Sequence, residues 1–356
     1  MQMERLPAPV RWLVGLAVLV ALAPVSAVAA DPHAVVFMYH RFGEDRYPST
    51  SVRLEQFESH LQHLAEGNYQ VWPLERVVSH LATDMPIPEH TVALSVDDAY
   101  LSVYTEAFPR LRERSWPFTV FVATGPVDQG LQGQMSWAQM REMQAAGVTF
   151  ANHGVSHAYL IRRHRGESEV QWRVRMRDEI ETAQRRLVEE LGAAPPLFAY
   201  PYGEYDEPLA NLVRELGYTA FGQQSGAVGR YSDPRALPRF PMAESYAELQ
   251  EFAAKARMRA LPVVAHTPWD PVLEGTRRPE LVVTLGDGQL LREELACFVS
   301  GQGSTPVRWL DAGRNRFAIQ AREDLPPGRS RYNCTVPDRQ RNYYWFSQQW
   351  VRSSDR

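Results

Sequence analysis

The sequence predicts an α/β domain organised on a parallel sheet, either open or rolled into a barrel, followed by a small antiparallel β domain. Two patterns carry that expectation. From Ala34 to His266 short β-type runs alternate with longer helical ones, the order that lays helices against a parallel sheet. After about Pro279 the runs become short and near-regular, separated by turn-rich pieces such as Gly286-Asp287-Gly288, Gly301-Gln302-Gly303 and Pro326-Pro327-Gly328. Composition agrees: 356 residues, 44% hydrophobic and 22% charged, describe a folded body large enough for one large and one small domain.

Taken in order, Ala34 to Tyr39 is an apolar strand, and Leu54, Phe57, Leu61 and Leu64 mark Leu54 to Ala65 as an amphipathic helix. Thr91 to Val96 and Phe118 to Val122 are strands. A helix near Ser136 to Ala145 stops at Gly147, a C-terminal glycine signal. Gly166 to Leu191 is dense in Arg and Glu with Val170, Val174, Ile180, Leu187 and Leu191 interleaved, a long surface helix ended by Gly192. Phe198 to Tyr200, Thr219 to Phe221 and Pro262 to Ala265 are short strands, with helices near Glu207 to Leu216 and Tyr246 to Met258 between them. In the C-terminal part, Leu281 to Leu285, Leu295 to Val299, Val307 to Leu310, Arg316 to Ala321 and Tyr343 to Phe346 are the expected strands. No repeat or low-complexity tract is visible.

Three features bound the function. The formal net charge of -4 argues against affinity built on neutralising many phosphates, which excludes nucleic acid as the expected partner. Arg5 and Arg11 precede an apolar run from Trp12 to Leu22, closed by Pro24 and the small residues Ser26 to Ala30. This is a secretory signal pattern with cleavage expected after Ala30. A retained membrane anchor is the alternative, since the run approaches the roughly 20 residues that span a bilayer; Pro24 and the small-residue end favour cleavage. The expected chain is then periplasmic or secreted, without a membrane span, where disulfides persist. Both cysteines, Cys297 and Cys334, fall in the β domain, as one bridge or as two buried thiols. The expected division is 1–30 signal peptide, 31–275 α/β domain and 280–356 β domain.

Chemistry is sought at strand ends, where loops on such sheets collect reactive groups. Leu94-Ser95-Val96-Asp97-Asp98-Ala99 sets two adjacent carboxylates at the end of an apolar strand. Other acidic doublets lie on polar stretches and read as solvated surface, but a carboxylate on this buried strand needs a cation or hydrogen bonds. In Asn152-His153-Gly154-Val155-Ser156-His157, His153 and His157 are the only pair four apart among ten histidines, a spacing that lets both rings face one ion. Two imidazoles and one carboxylate make three protein ligands and leave positions open for water and substrate. The bland reading is a pair of hydrogen-bonded loop histidines. Tyr200-Pro201-Tyr202-Gly203 ends a strand in a turn, and Val263-Val264-Ala265-His266 ends another in a histidine; each alone is ordinary.

In this order the four clusters resemble the polysaccharide deacetylases of the NodB-homology class, metal-dependent carbohydrate esterases. The resemblance covers about Ala34 to Trp269, and Tyr39-His40-Arg41 looks like the family's opening segment. It implies a distorted (β/α) barrel with a divalent ion, expected to be zinc, at the strand carboxyl ends. Carried over by position, it makes Asp98, His153 and His157 the metal ligands, Asp97 the general base and His266 the general acid. The backbone N–H of Tyr202 then lies beside the substrate carbonyl. The implied substrate is an N-acetylglucosamine-containing polysaccharide or oligosaccharide, whose N-acetyl group is hydrolysed by activated water.

The pattern is not complete. Ser95 and Val96 replace the commoner threonine and phenylalanine, and Ala99 stands where glycine is usual, tolerable if it avoids a positive φ. The third motif lacks its usual arginine, for which Arg239 in Leu237-Pro238-Arg239-Phe240 is a candidate substitute. Two rival functions share these residues. One is a carbohydrate-binding protein on the same scaffold, supported by Tyr343, Tyr344, Trp345, Phe346 and Trp350 as stacking groups; the other is an amidase for a small non-sugar amide.

Overall fold

A computed structural model describes Gln2 and residues 32–353. The expected signal peptide at 1–30 otherwise lies outside the described residues. Among those described, no helix is long and apolar enough to cross a membrane.

The first strand, β1 (His33–Tyr39), and the second, β2 (Thr91–Asp97), are apolar enough to be buried along nearly their whole length. Such runs suit a sheet covered on both faces. β1 pairs in parallel with β2, which continues through β3 (Thr119–Val122), β4 (Thr149–Asn152), β5 (Leu197–Ala199) and β6 (Thr219–Phe221), all parallel. β7 (Ala227–Gly229) closes the far edge antiparallel to β1, giving the order β7-β1-β2-β3-β4-β5-β6. Two-residue strands at Gln70–Val71 and Phe240–Pro241 pair in parallel with β2 and β1. The sheet is the distorted barrel that the motifs imply.

The helices α1 (Leu54–Glu66) and α2 (Trp137–Ala145) follow the apolar spacing of their sequence. The longest, α3 (Glu169–Leu191), starts where the Ser168 hydroxyl accepts from the Gln171 N–H and ends at Gly192 with φ 78°, a left-handed cap that glycine adopts without strain. Its buried stripe is Trp172, Met176, Ile180, Ala183, Leu187 and Leu191. Val170 and Val174, expected on that stripe, stay exposed, because the stripe drifts around the helix and Trp172 and Met176 occupy the inward positions at its start.

The C-terminal part differs from expectation in where it begins. β8 (Arg259–Ala260) pairs with β16 (Tyr343–Arg352), and β9 (Val263–Thr267) pairs antiparallel with β10 (Glu280–Leu285). The strand bearing His266 therefore belongs to an antiparallel sheet, not to the parallel one, and the sheets do not divide at 275–280. β11 (Ala296–Val299), β12 (Gly303–Thr305), β13 (Arg308–Trp309), β14 (Arg316–Gln320) and β15 (Gly328–Pro337) complete two sheets, ordered β8-β16-β15-β11-β12 and β9-β10-β14-β13, antiparallel throughout except for the parallel β8–β16 pair. Their shared core includes Leu281, Val283, Phe317, Tyr332 and Trp350. Cys297 and Cys334 sit directly opposite on β11 and β15 and form a disulfide.

Candidate active site

β2 delivers Asp97 as its last residue, with Asp98 just beyond. Asp97 is fully buried and is held by an equally buried Arg239: Nη1 donates to Oδ1 at 2.7 Å and Nη2 to Oδ2 at 2.8 Å. Arg239 is itself fixed by donating from Nε to the Gly222 carbonyl and from Nη1 to Ser95 Oγ. The fork-to-fork geometry is the strong form of an arginine–carboxylate pair. Burial alone raises the Asp97 carboxyl, but Arg239 and His153 outweigh it and hold the group below the ordinary carboxylate value. The arginine absent from the third motif is thus supplied from a later loop.

Asp98 leaves the strand at φ 76° and Ala99 follows at φ 50°. The condition set above for Ala99 is therefore not met: the chain adopts the left-handed turn without the usual glycine. The tightness of this turn aims Asp98 away from Arg239 and toward the loop after β4. There the Asp98 Oδ1 lies 3.3 Å from His153 Nε2 and 3.0 Å from His157 Nε2.

The histidine loop is built by α3. Glu179 Oε1 accepts from the Val155 and Ser156 N–H groups and the Ser156 hydroxyl. Gly154 has φ 78°, and a Cβ there would come within 2.9 Å of Glu179 Oε1. His153 donates from Nδ1 to the Ala199 carbonyl at 2.7 Å, which leaves Nε2 with its lone pair facing Asp98.

Whether these residues suit a metal is tested by what their inner atoms do. Buried Asp98 Oδ1 and His153 Nε2 lack hydrogen-bond partners among the described residues. They face each other as acceptor to acceptor, an arrangement that costs free energy unless a cation lies between. One ligand atom from each of Asp98, His153 and His157 lies within 4.8 Å of the others. A tetrahedral ion with ligand bonds of about 2.0–2.1 Å holds its donors roughly 3.3 Å apart, so the two Asp98–imidazole separations are of the right size. The residues fit a divalent ion.

Tyr202 is placed by the turn after β5. It takes φ 58°, and the turn's hydrogen bonds run from the Gly203 N–H to Tyr200 and from the Glu204 N–H to Pro201. Its ring stacks on Tyr159 with centroids 3.9 Å apart and lies 4.5 Å from the His157 ring. Gly203 has φ 68°, and a Cβ there would lie 2.5 Å from the Gln223 side chain, so no larger residue fits. The C-terminal sheets also reach this turn: Arg329 donates to the Tyr202 carbonyl and to Gln223, and Gln349 Nε2 donates to the Gly203 carbonyl at 2.7 Å.

His266 is not brought to this cluster. It lines a separate cavity, 5.4 Å from the Phe346 ring and under the influence of Asp233, Arg235 and Gln348. Its strand pairs with β10, which draws the side chain into the antiparallel layer. A different histidine stands at the carboxylates: His40, just past β1, has Nε2 4.0 Å from Asp97 Oδ2 and a side chain 14% exposed. The opening Tyr39-His40-Arg41 segment carried the signal, because β1 is the neighbour of β2 and both end at the same rim.

The parallel sheet thus carries two imidazoles and two carboxylates at its carboxyl rim, a donor set that suits a divalent ion. Residues 84–221 match the model of the polysaccharide deacetylase family, and over that stretch the chain resembles it. Among relatives, it is 26% identical over 237 residues to the poly-β-1,6-N-acetyl-D-glucosamine N-deacetylase of Escherichia coli K12, covering 57% of this chain and 35% of that one. It therefore spans about a third of that relative's length. A protein of the same name from Staphylococcus aureus MRSA252 is 22% identical over 226 residues, covering 60% of this chain and 78% of its own. Among solved structures, IcaB from Ammonifex degensii superposes with a TM-score of 0.55 at 27% identity, over 64% of this chain and 97% of that one. The deacetylase PplD from Streptococcus pyogenes superposes at 0.57 with 20% identity, over 64% and 99%.

Proposed function

We propose that the chain is a metal-dependent N-deacetylase of an N-acetylglucosamine polysaccharide, with the β-1,6-linked polymer named for its relatives the first substrate to test. The observation that carries this reading is the convergence of Asp98, His153 and His157 one residue away from a buried, arginine-held carboxylate. A divalent ion in that triad, expected to be zinc from its two imidazoles and one carboxylate, supplies a Lewis acid and an acidified water when bound.

The chain's own residues account for the remaining needs of amide hydrolysis. Asp97, held ionised by Arg239, receives the proton of the attacking water. His40, across the Asp97 carboxylate, takes the place expected of His266 and delivers a proton to the departing amine. The Tyr202 N–H offers a hydrogen bond to charge developing on the acetyl oxygen, an interaction of about 2.7–4 kcal/mol in comparable acyl-transfer sites. Tyr159 and Tyr202 present a stacked aromatic edge for a sugar ring. We further propose a periplasmic or secreted location, supported by the N-terminal leader pattern and by the Cys297–Cys334 bridge.

The test is acetate release across β-1,6-linked N-acetylglucosamine, chitin-type oligomers and peptidoglycan, with the purified full chain. Release from at least one is expected, and none from any rejects the reading. His40→Gln is expected to lose about 10²–10⁴-fold in rate while His266→Gln loses less than tenfold. The reverse order returns the acid role to His266.

A further inference from the structure

The residue that the catalytic cluster leaves unused sits in a cavity of its own. It has a volume of about 250 Å³ and lies between the 224–238 segment, the β9 strand and β16. Trp345 and Phe346 come from β16, Trp269 from just beyond β9, and Tyr205 from the turn after β5. Tyr231 and Val264 are 41% and 47% exposed, so the cavity opens to solvent beside them.

The polar groups around it are largely spent on one another. The Trp269 indole N–H donates to Asp233 Oδ2 at 2.9 Å, and the Trp345 indole N–H donates to Ser347 Oγ at 2.8 Å. Both indoles therefore have their polar edges satisfied within the protein. Asp233 also accepts from Arg235, at Oδ1 from Nε and at Oδ2 from Nη2, so this carboxylate is already neutralised. Burial pushes the His266 imidazole down to about 4, leaving it uncharged at neutral pH, able to donate from one nitrogen and accept at the other.

Aromatic surface, neutral hydrogen-bonding groups and no free carboxylate select for an uncharged ring that carries hydroxyl or amide groups. A volume below the roughly 300–1,000 Å³ of a drug-sized pocket suits one ring rather than an oligomer. We propose that this cavity is a second, non-catalytic glycan site that holds a single N-acetylated hexosamine unit and discriminates against the deacetylated unit. The ligand class rests on the function proposed above. A glucosamine unit brings an ammonium group, for which the cavity offers no unpaired anion, and desolvating that charge costs more than the ring contacts return. The C-terminal sheets thereby acquire a role: they supply half of a subsite that keeps still-acetylated polymer on the enzyme.

Tryptophan fluorescence of the full chain, titrated with the monosaccharides N-acetylglucosamine and glucosamine, tests this, because Trp269 and Trp345 report from the cavity wall. The background is His153→Ala, which disables the metal cluster. A saturable change with N-acetylglucosamine is expected to persist there, to be at least tenfold weaker with glucosamine, and to weaken at least tenfold on adding Val264→Phe or Phe346→Ala. Val264 is exposed, so its substitution blocks the mouth without burdening the core. No saturable change, equal response to both sugars, or a response untouched by both cavity substitutions overturns the proposal. Acetate release by the parent protein together with no binding in the His153→Ala background sinks this inference alone. Cavity binding without acetate release from any glycan supports the subsite and sinks only the catalytic reading.

Discussion

The Arg239–Asp97 pair offers the sharpest single perturbation, because stability and chemistry both pass through it. Both side chains are fully buried and joined by two short hydrogen bonds. Arg239→Leu leaves the Asp97 carboxyl in an apolar setting with its counter-charge removed. Breaking a buried pair from one side costs about 3–5 kcal/mol, and at about 2–4 °C per kcal/mol the melting temperature is expected to fall by roughly 6–20 °C. With burial unopposed, the Asp97 carboxyl rises and holds its proton, so acetate release is expected to drop at least about 10²-fold. Asp97→Leu combined with Arg239→Leu replaces the pair by apolar groups and is expected to recover at least half of the lost stability while remaining inactive. Calorimetry of the parent, both single variants and the double variant forms the cycle, with acetate release measured beside it. An Arg239→Leu protein as stable and active as the parent, or a double variant less stable than Arg239→Leu, refutes the reasoning.

Two further outcomes follow from groups away from the site. His60 is buried, hydrogen-bonded to the Tyr39 hydroxyl at Nδ1 and the Ala247 carbonyl at Nε2, and burial pushes it down to about 4. In the unfolded chain it titrates near 6.5, so between pH 6.5 and 4 the unfolded state binds more protons. Its contribution is complete above about pH 6.5 and is lost as pH falls toward 4, up to roughly 3 kcal/mol in all; urea denaturation at pH 7 and 5 should show a smaller loss in His60→Gln, and equal losses contradict it. The Cys297–Cys334 bridge closes a 37-residue loop, worth about 3–4 kcal/mol by loop-closure entropy. Reductant is expected to lower the melting temperature of the parent but not of Cys297→Ala/Cys334→Ala, and an unaffected parent contradicts that.

The parts of this protein that repeat a local pattern were legible in its sequence. The strands ending at Tyr39, Asp97 and Asn152 are apolar runs bounded by polar residues, and their ends carry the Asp97–Asp98 and His153–His157 groups that the structure brings together. What escaped depends on contacts distant along the chain. His266 closes an apolar run just as the catalytic strands do, and only its pairing with Leu285, Thr284, Val283 and Val282 through β9 shows that it belongs to another sheet. Conversely, His40 reaches Asp97 because β1 and β2 are neighbours in the sheet, as the hydrogen bond from Ser95 to Phe37, 58 positions apart in the chain, illustrates. β15 was missed for a local reason: Ser330, Tyr332, Cys334 and Val336 are buried alternately with Arg329, Arg331, Asn333 and Thr335, so its mean polarity hides a clean period of two. Trp350, offered as a sugar-stacking residue, is core, whereas Trp345 and Phe346 beside it line the cavity.

Metal stoichiometry of the purified full chain tests the account most directly. One divalent ion per chain is expected in the parent and in Asp97→Asn, and none in His153→Ala, because Asp97 faces Arg239 while His153 Nε2 faces Asp98. Equal metal content in the parent and His153→Ala, or none in the parent after reconstitution with zinc, contradicts the central claim.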